Sequence, residues 1–380
     1  MMGAYHQMGH DSTNLLSEPY LNMFRGAILS PVNCDKSQII SIIQDPNFTQ
    51  MEMVFDPQLY FPNSNRGELP RWDYFPSDVD TADVSSIKWW QSTNKGLMKT
   101  LRRIKPNAVC SPAVVPRVYD GDYYSLNRDV ADDLRNQLSN TSIQVLQTLI
   151  VRLSDLSARS RAEEIASIAS ASGIPRIFLV LYSDLDPRLE LNKSDELRGA
   201  IRLIRFLEQS GICVLMGFVS SDVILWKAAG ATNCATGKFF NIRRFTPSRF
   251  SEPPEGGGQI SHWFEESMMA YIRESDLIRI RDANLLSVAS SNNPFCQQIL
   301  AQLENNPGKA WLGISWRQYL YWFADFENRY CLGQIDANNF LQSVENVWRN
   351  LEDNQILMEE PRNDGYWIRQ WRRAIVEAFR

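Results

Sequence analysis

The sequence predicts an α/β protein: a (β/α)8 barrel of the TIM type followed by a C-terminal helical region. Three observations carry this. Seven short apolar runs rich in β-branched residues recur between positions 26 and 236, each succeeded by a polar turn. Stretches with helical spacing separate them. From about Ser261 the strand-like runs stop, and the remainder, with seven of the eleven tryptophans, has helical periodicity.

The strand-like runs are 26–31, 51–55, 108–112, 143–151, 176–182, 212–218 and 232–236. The clearest helices between them are 36–44, 126–138, 161–171, 195–209 and 221–229. Ser194 with Asp195 and Glu196 suits a helix start, and Gly211 a helix end. Alternating β and α units imply parallel strands with right-handed crossovers. Near-continuous apolar strands fit a sheet buried on both faces. No G-x-G-x-x-G comes after the first run, which removes the dinucleotide-binding form of the open sheet. The stretch 217–237, with its Gly230-Ala231 pair and closing Gly237, fits the last quarter of a barrel ending in an anion-binding turn. An eighth strand is expected in 284–289 or in a segment whose pattern is hidden.

Residues 1–18, polar and glycine-containing, read as a flexible leader, 19–255 as the barrel and 256–380 as the helical part. The run 263–280 reads as one amphipathic helix. The loop 57–85 carries Tyr60, Phe61, Trp72, Tyr74 and Phe75, and its length fits a lid over the catalytic face.

The chain has 380 residues and a net charge of −5, so it has no global basic field for non-specific nucleic-acid binding. No run of about 18 apolar residues occurs, so no membrane span is expected. The N-terminus has no basic start leading into an apolar stretch, so no secretory signal is expected. Six scattered cysteines without a C-x-x-C pair read as reduced core residues of a cytoplasmic protein. With only His6, His10 and His262 as histidines, neither a zinc site nor a cofactor is expected.

In a barrel the carboxyl ends of the strands converge on one face, so the residues just past each strand are the place to look for a site. Asn33, Cys34 and Asp35 come after the first run, Asp56 after the second, Asp155 after the fourth, Asp184 and Asp186 after the fifth, and Asp222 after the sixth. Lys238, Asn241, Arg243 and Arg244 come after the last. Asp56, Asp184 and Asp186 are the catalytic candidates, since carboxylates serve as base, acid or nucleophile. Lys238, Asn241, Arg243 and Arg244 are the candidates for holding phosphate. Two bland alternatives stay open: aspartates after strands cap helices and shape turns, and the arginines can bond those aspartates in a structural network. Asp222 fits a helix cap best. Asp184-Leu185-Asp186 is the one spacing suited to Mg²⁺, but no metal is assigned.

The segment 217–244, a strand, a helix and a strand ending in a basic Arg-containing turn, resembles the corresponding stretch of the tRNA-guanine transglycosylase superfamily, which includes DNA 7-deazaguanine transglycosylases. The resemblance implies a TIM barrel acting on a nucleobase, with Arg243 or Arg244 near the nucleic-acid backbone or the base and Asp56 at the place of the base-recognising or proton-accepting aspartate. Two departures mark this chain. Ala235 stands where the family has its nucleophilic aspartate, and the Cys/His zinc site is missing.

The first functional reading is therefore a transglycosylase-like enzyme acting on a nucleobase or nucleoside in a nucleic acid. The alternative is a non-catalytic barrel that serves as a binding subunit, docking a protein partner through its C-terminal helices. A phosphate-ester or sugar hydrolase is a third reading, which the aspartates allow. The basic face of the last helix, Arg369, Arg372, Arg373 and Arg380, is the candidate surface for a nucleic acid or an acidic protein.

Overall fold

The computed structural model describes residues 2–78, 83–251, 259–306, 308–359 and 363–380. Eight parallel strands close into a barrel in sequence order: β1 (Tyr5–Gln7), β2 (Gly26–Leu29), β3 (Glu52–Phe55), β4 (Ala108–Cys110), β5 (Gln144–Arg152), β6 (Arg176–Tyr182), β7 (Cys213–Gly217) and β8 (Asn233–Thr236). The predicted (β/α)8 barrel is the fold, and all seven predicted strands are present.

The eighth strand is a correction. It is β1, inside the segment expected to be a leader: Tyr5 lies opposite Gly26 of β2 on one side and Ala235 of β8 on the other. Three residues containing His6 and Gln7 show no alternation, and only pairing on both edges makes them a strand. The rival segment 284–289 is a turn leading into a short helix.

Outside the strands lie α1 (Thr13–Leu16), α2 (Lys36–Gln44), α3 (Ile87–Ile104), α4 (Gly121–Gln137), α5 (Arg161–Ser170), α6 (Ser194–Gln209) and α7 (Val223–Ala228). Asp35 opens α2 with a capping box: it accepts from Gln38 N at 2.8 Å while the Gln38 side chain bonds back to Asp35 N. The bland reading of that aspartate is the right one.

Alternation along the strands sends Tyr5, Ile28, Val54, Cys110, Leu146, Phe178, Leu215 and Ala235 inward to fill the barrel. Gly26 is required there, because a Cβ would sit 2.2 Å from the Tyr5 ring. At the amino ends Arg176 forks onto Glu52 at 2.6 and 2.9 Å, and the Tyr5 hydroxyl donates to the same carboxylate.

Gly199 in α6 marks an equally close approach, since a Cβ there would lie 2.0 Å from the Leu156 carbonyl oxygen. Gly199→Ala should cost about 1–3 kcal/mol of stability by overpacking. Urea unfolding reads this, and a midpoint equal to wild type would mean that α6 can lift away freely.

In the described part of the 57–85 loop, Tyr60 and Phe61 pack in the barrel mouth, while Trp72 and Tyr74 pack on Phe55 at the outer face of β3. Tyr60 meets Phe245 edge-on at 5.2 Å, Phe61 stacks over Phe245 at 6.5 Å, and Trp72 and Tyr74 are buried.

The boundary expected near 255 lies outside the described residues. Beyond it, 263–280 is not one helix. Strands β9 (Trp263–Glu265) and β10 (Ala270–Ile272) form an antiparallel hairpin, and helix starts only at α8 (Glu274–Asp282). Met269 turns the hairpin at φ 49°, which the sequence pattern does not announce. Next come α9 (Val288–Asn292), α10 (Pro294–Asn305), α11 (Leu312–Cys331), α12 (Ala337–Asp353) and α13 (Tyr366–Ala378).

These helices share one apolar core with the barrel's outer layer. Trp322 packs on Phe264 at 3.8 Å, and Trp371 Nε1 donates to Leu191 O at 2.6 Å. Two polar links fasten α11 to β8: the Tyr319 and Thr236 hydroxyls lie 2.8 Å apart, and Cys234 N donates to Glu327 at 3.1 Å. Lys227 of α7 completes the second link. Its Nζ reaches Ala231 O at 2.8 Å, Thr232 O at 3.1 Å and Glu327 at 3.3 Å, all in the interior. Among the described residues, no helix is long and apolar enough to cross a membrane, and all six cysteines are free.

Candidate functional site at the barrel mouth

A cavity of about 1010 Å³ opens at the carboxyl ends of the strands and extends over β8 to α11. Its walls come from the segments just past β1 (His10), β2 (Asn33), β3 (Arg66), β6 (Arg188, Glu190) and β8 (Lys238, Asn241, Arg243). The C-terminal part adds Tyr271, Arg273, Trp316 and Trp367. Among the described lining residues six are Lys or Arg, and Glu190 is the single carboxylate. A concave wall with that imbalance favours an anion.

The turn after β8 is held by its own backbone. Arg243 Nε donates to Gly237 O at 3.0 Å and its Nη2 to Lys238 O at 2.8 Å, while the guanidinium lies 3.6 Å over the Tyr319 ring. Gly237 is obligatory, since a Cβ would sit 2.2 Å from Ile242 and 2.7 Å from Gln7 O. The folded turn presents Lys238 and Asn241 to the cavity. Asn241 Oδ1 is buried without a hydrogen-bond partner.

Arg244, expected to hold phosphate, points elsewhere. It lies 3.7 Å from both Glu190 and Asp222, donates to Leu189 O, and does not line the cavity. Asp222, expected to cap α7, makes no side-chain cap bond. It accepts from Ser220 N at 2.8 Å and serves as counter-charge to Arg244.

The three predicted catalytic aspartates are also placed differently from expectation, for they do not share the cavity with the basic turn. Asp56 points into the barrel, 1% exposed, accepting from Gln58 N at 3.0 Å and Tyr60 hydroxyl at 2.8 Å. Burial pushes its carboxyl up to about 6, against the pull of Tyr60, Gln58 and Arg249. Arg249 covers it from the mouth: its Nη2 bonds Ser30 Oγ at 3.1 Å, and burial brings the guanidinium down to about 10. Asp56 is thus part of a buried polar plug with Gln58, Tyr60 and Arg249. Asp184 is exposed and held by Arg152 at 2.5 Å and Tyr182 hydroxyl at 2.8 Å, beside a separate cavity of about 270 Å³. These donors keep it below the usual carboxylate range. Asp186 pairs with Arg188 at 2.9 Å and does not itself line the cavity.

Glu190 is the acid that reading strand ends misses. It sits eight residues beyond β6, in the loop that also carries Asp184 and Asp186. Its side chain is 9% exposed and accepts from Ser221 Oγ at 2.6 Å. Burial raises its carboxyl to about 7, with Arg244 and Ser221 pulling the other way and Asp222 adding to the rise. One signal was available: in Leu189-Glu190-Leu191 a lone acid stands between two leucines that anchor it inward.

Of the C-terminal tryptophans, Trp311, Trp322, Trp348, Trp367 and Trp371 are buried. Trp316 instead remains half-buried on the cavity wall. On the basic face of α13, Arg369 and Arg372 share the Glu345 carboxylate with Arg349, and Arg373 meets Glu377 at 2.7 Å.

No protein-family model matches the chain, and no curated protein matches it. Among solved structures it is similar to a family GH3 glycosyl hydrolase from Mycobacterium smegmatis (11% identity, 84% of this chain and 94% of that one, TM-score 0.40). It is also similar to the copper homeostasis protein CutC from Streptococcus agalactiae (11% identity, 65% and 100%, TM-score 0.36). A third is the homocysteine methyltransferase MmuM from Escherichia coli (12% identity, 66% and 93%, TM-score 0.33). None of the three is a transglycosylase, and the barrel assignment rests on the strand pairing itself.

Proposed function

We propose that the protein is an enzyme acting on a small anionic substrate, a phosphorylated or carboxylated metabolite, bound at the barrel mouth. One observation carries this reading: among the described lining residues the cavity brings together six cations and one largely buried carboxyl, Glu190, whose pKa is near 7. A carboxyl poised there can both give and take a proton at neutral pH, which is what general acid–base catalysis asks of it. Arg66 suits the anion-holding role, because among the described residues no carboxylate pairs with it. Lys238 and Asn241 offer a further cation and an amide.

Base exchange on a nucleobase is a narrower form of the same reading. The aromatic walls, Trp316 and Tyr271, suit a planar ring. It requires Glu190 as the working carboxylate in place of Asp56, Asp184 and Asp186. The free cysteines fit a cytoplasmic setting. With the tryptophans of the C-terminal helices spent on core packing, we favour the enzyme over the docking subunit.

Isothermal titration of the full chain tests the reading. Inorganic phosphate and ribose 5-phosphate should bind while ribose does not, and Arg66→Ala should weaken binding roughly tenfold, the loss of one charge-assisted contact. Equal affinity for ribose and its phosphate would remove the anion site.

A further inference from the structure

The cavity wall beside β8 holds an amine in a setting unlike that of a structural lysine. Lys238 is 4% exposed, and its Nζ lies 4.8 Å from the centre of the Phe239 ring and 4.7 Å from that of Trp316. The two rings meet edge-to-face at 5.3 Å. Among the described residues no carboxylate is in ion-pair contact with it. Burial draws its pKa below the ordinary lysine value, Asp11 opposes this, and Arg317 adds to it. Asp11 is itself engaged by His10 at 2.9 Å, and Arg317 by Glu18 at 3.1 Å. His6, whose imidazole also feels Lys238, is buried, with its pKa held down at about 3, so it adds no charge.

Lys227 shows what this chain does with a buried lysine that only stabilises. That ammonium has two carbonyls and a carboxylate within 3.3 Å. Lys238 has aromatic faces instead, and it opens onto the cavity. A role of only holding an anion is served equally well by arginine, which keeps its charge. An amine that opens onto the cavity with no carboxylate to hold its proton is placed to act as a nucleophile.

We propose that Lys238 condenses with the aldehyde or ketone carbonyl of an anionic substrate, forming an imine in this cavity; this rests on the cavity being the site of a small anionic substrate. The neutral amine adds its lone pair to the carbonyl carbon, and the carbonyl oxygen takes a proton from the protonated carboxyl of Glu190, which lines the same cavity. The new C–N bond keeps the nitrogen's electrons, and the nitrogen gives up one proton to the Glu190 carboxylate. The hydroxyl then leaves as water with that proton, and the C=N double bond forms. One amine and one carbonyl yield one imine and one water, with no change of oxidation state. The protonated imine is an electron sink for breaking a bond next to the former carbonyl, which identifies the substrate class as small anionic aldehydes or ketones.

The test is trapping. The full chain is incubated at pH 7.5 with pyruvate, glyoxylate or glyceraldehyde 3-phosphate and sodium cyanoborohydride, and the adducts are mapped by peptide mass. Lys238 should be labelled about tenfold faster than the exposed Lys88, Lys95 and Lys99. Excess inorganic phosphate should slow that labelling. Lys238→Arg should lose the fast adduct while still binding phosphate by titration. Should Lys238→Arg fold poorly, site mapping on the wild-type chain decides alone. Labelling of Lys238 no faster than the exposed lysines overturns the imine proposal; if phosphate still binds, the anionic-substrate reading survives and Lys238 is a simple anion contact. Fast labelling that phosphate does not slow supports the imine and counts against the anion site.

Discussion

Lys227→Met should destabilise the protein by about 3–5 kcal/mol, the cost of leaving one member of a buried ion pair without its partner. The ammonium is 4% and the carboxylate 0% exposed, so neither can turn to water when the other is removed. Burial pushes the Glu327 carboxyl up to about 7 against the pull of Lys227. Lys227 is held above its ordinary value, because Glu327 and neighbouring groups outweigh its own desolvation. The three acceptors around Nζ decide for a charged lysine, and hence for an ionised partner. Lys227→Met would also leave Ala231 O and Thr232 O without this donor. The double variant Lys227→Met/Glu327→Leu should recover much of the loss, because hydrophobic replacement of a whole buried pair is often neutral. Urea unfolding of the two single variants and the double reads the coupling. Single-variant losses under about 1 kcal/mol would show that the pair is solvated in solution. The pair matters to the cavity as well, for it pins α11, which carries Trp316 and Tyr319, against β8.

Glu190→Gln should reduce turnover of a bound substrate by about 10²–10⁴-fold, the usual contribution of a general acid–base residue. It should also remove a pH dependence of stability that needs no substrate to observe. The Glu190 carboxyl sits at about 7 in the fold, against an ordinary value of 4.5, so the folded chain holds that proton more tightly than the unfolded one. The stabilisation is therefore fully present below about pH 4.5 and is lost as the pH rises through about 7, on the order of 3 kcal/mol in all. Asp56, raised to about 6, contributes in the same direction over a lower window. Melting curves of wild type and Glu190→Gln between pH 4.5 and 8 should diverge accordingly. Parallel curves would mean that Glu190 titrates as an ordinary surface acid, and the catalytic assignment would fall with it.

Two of the predicted site residues lie away from the cavity for a similar reason. Asp56 and Arg244 both stand where a barrel displays its chemistry, at a strand end and in the basic turn. Yet each is engaged inside the fold: Asp56 accepts from Gln58 N and the Tyr60 hydroxyl, and Arg244 lies 3.7 Å from both Glu190 and Asp222. Glu190 escaped notice because it belongs to the middle of a loop, and only the fold of that loop turns it into the cavity. The hairpin of β9 and β10 escaped because three-residue strands carry too little alternation to compete with a helical pattern.

What the amino-acid order determined unaided was the alternation of parallel strands and helices: apolar runs at regular spacing bury their side chains only by pairing in parallel beneath a layer of helices, and that physics is local enough to read. The tertiary structure alone decided that Tyr5–Gln7 would close the ring, since a strand that short gains stability only from neighbours on both sides. It also decided which charges would face the cavity, because a buried charge goes where a partner awaits it, and the partner lies far away along the chain.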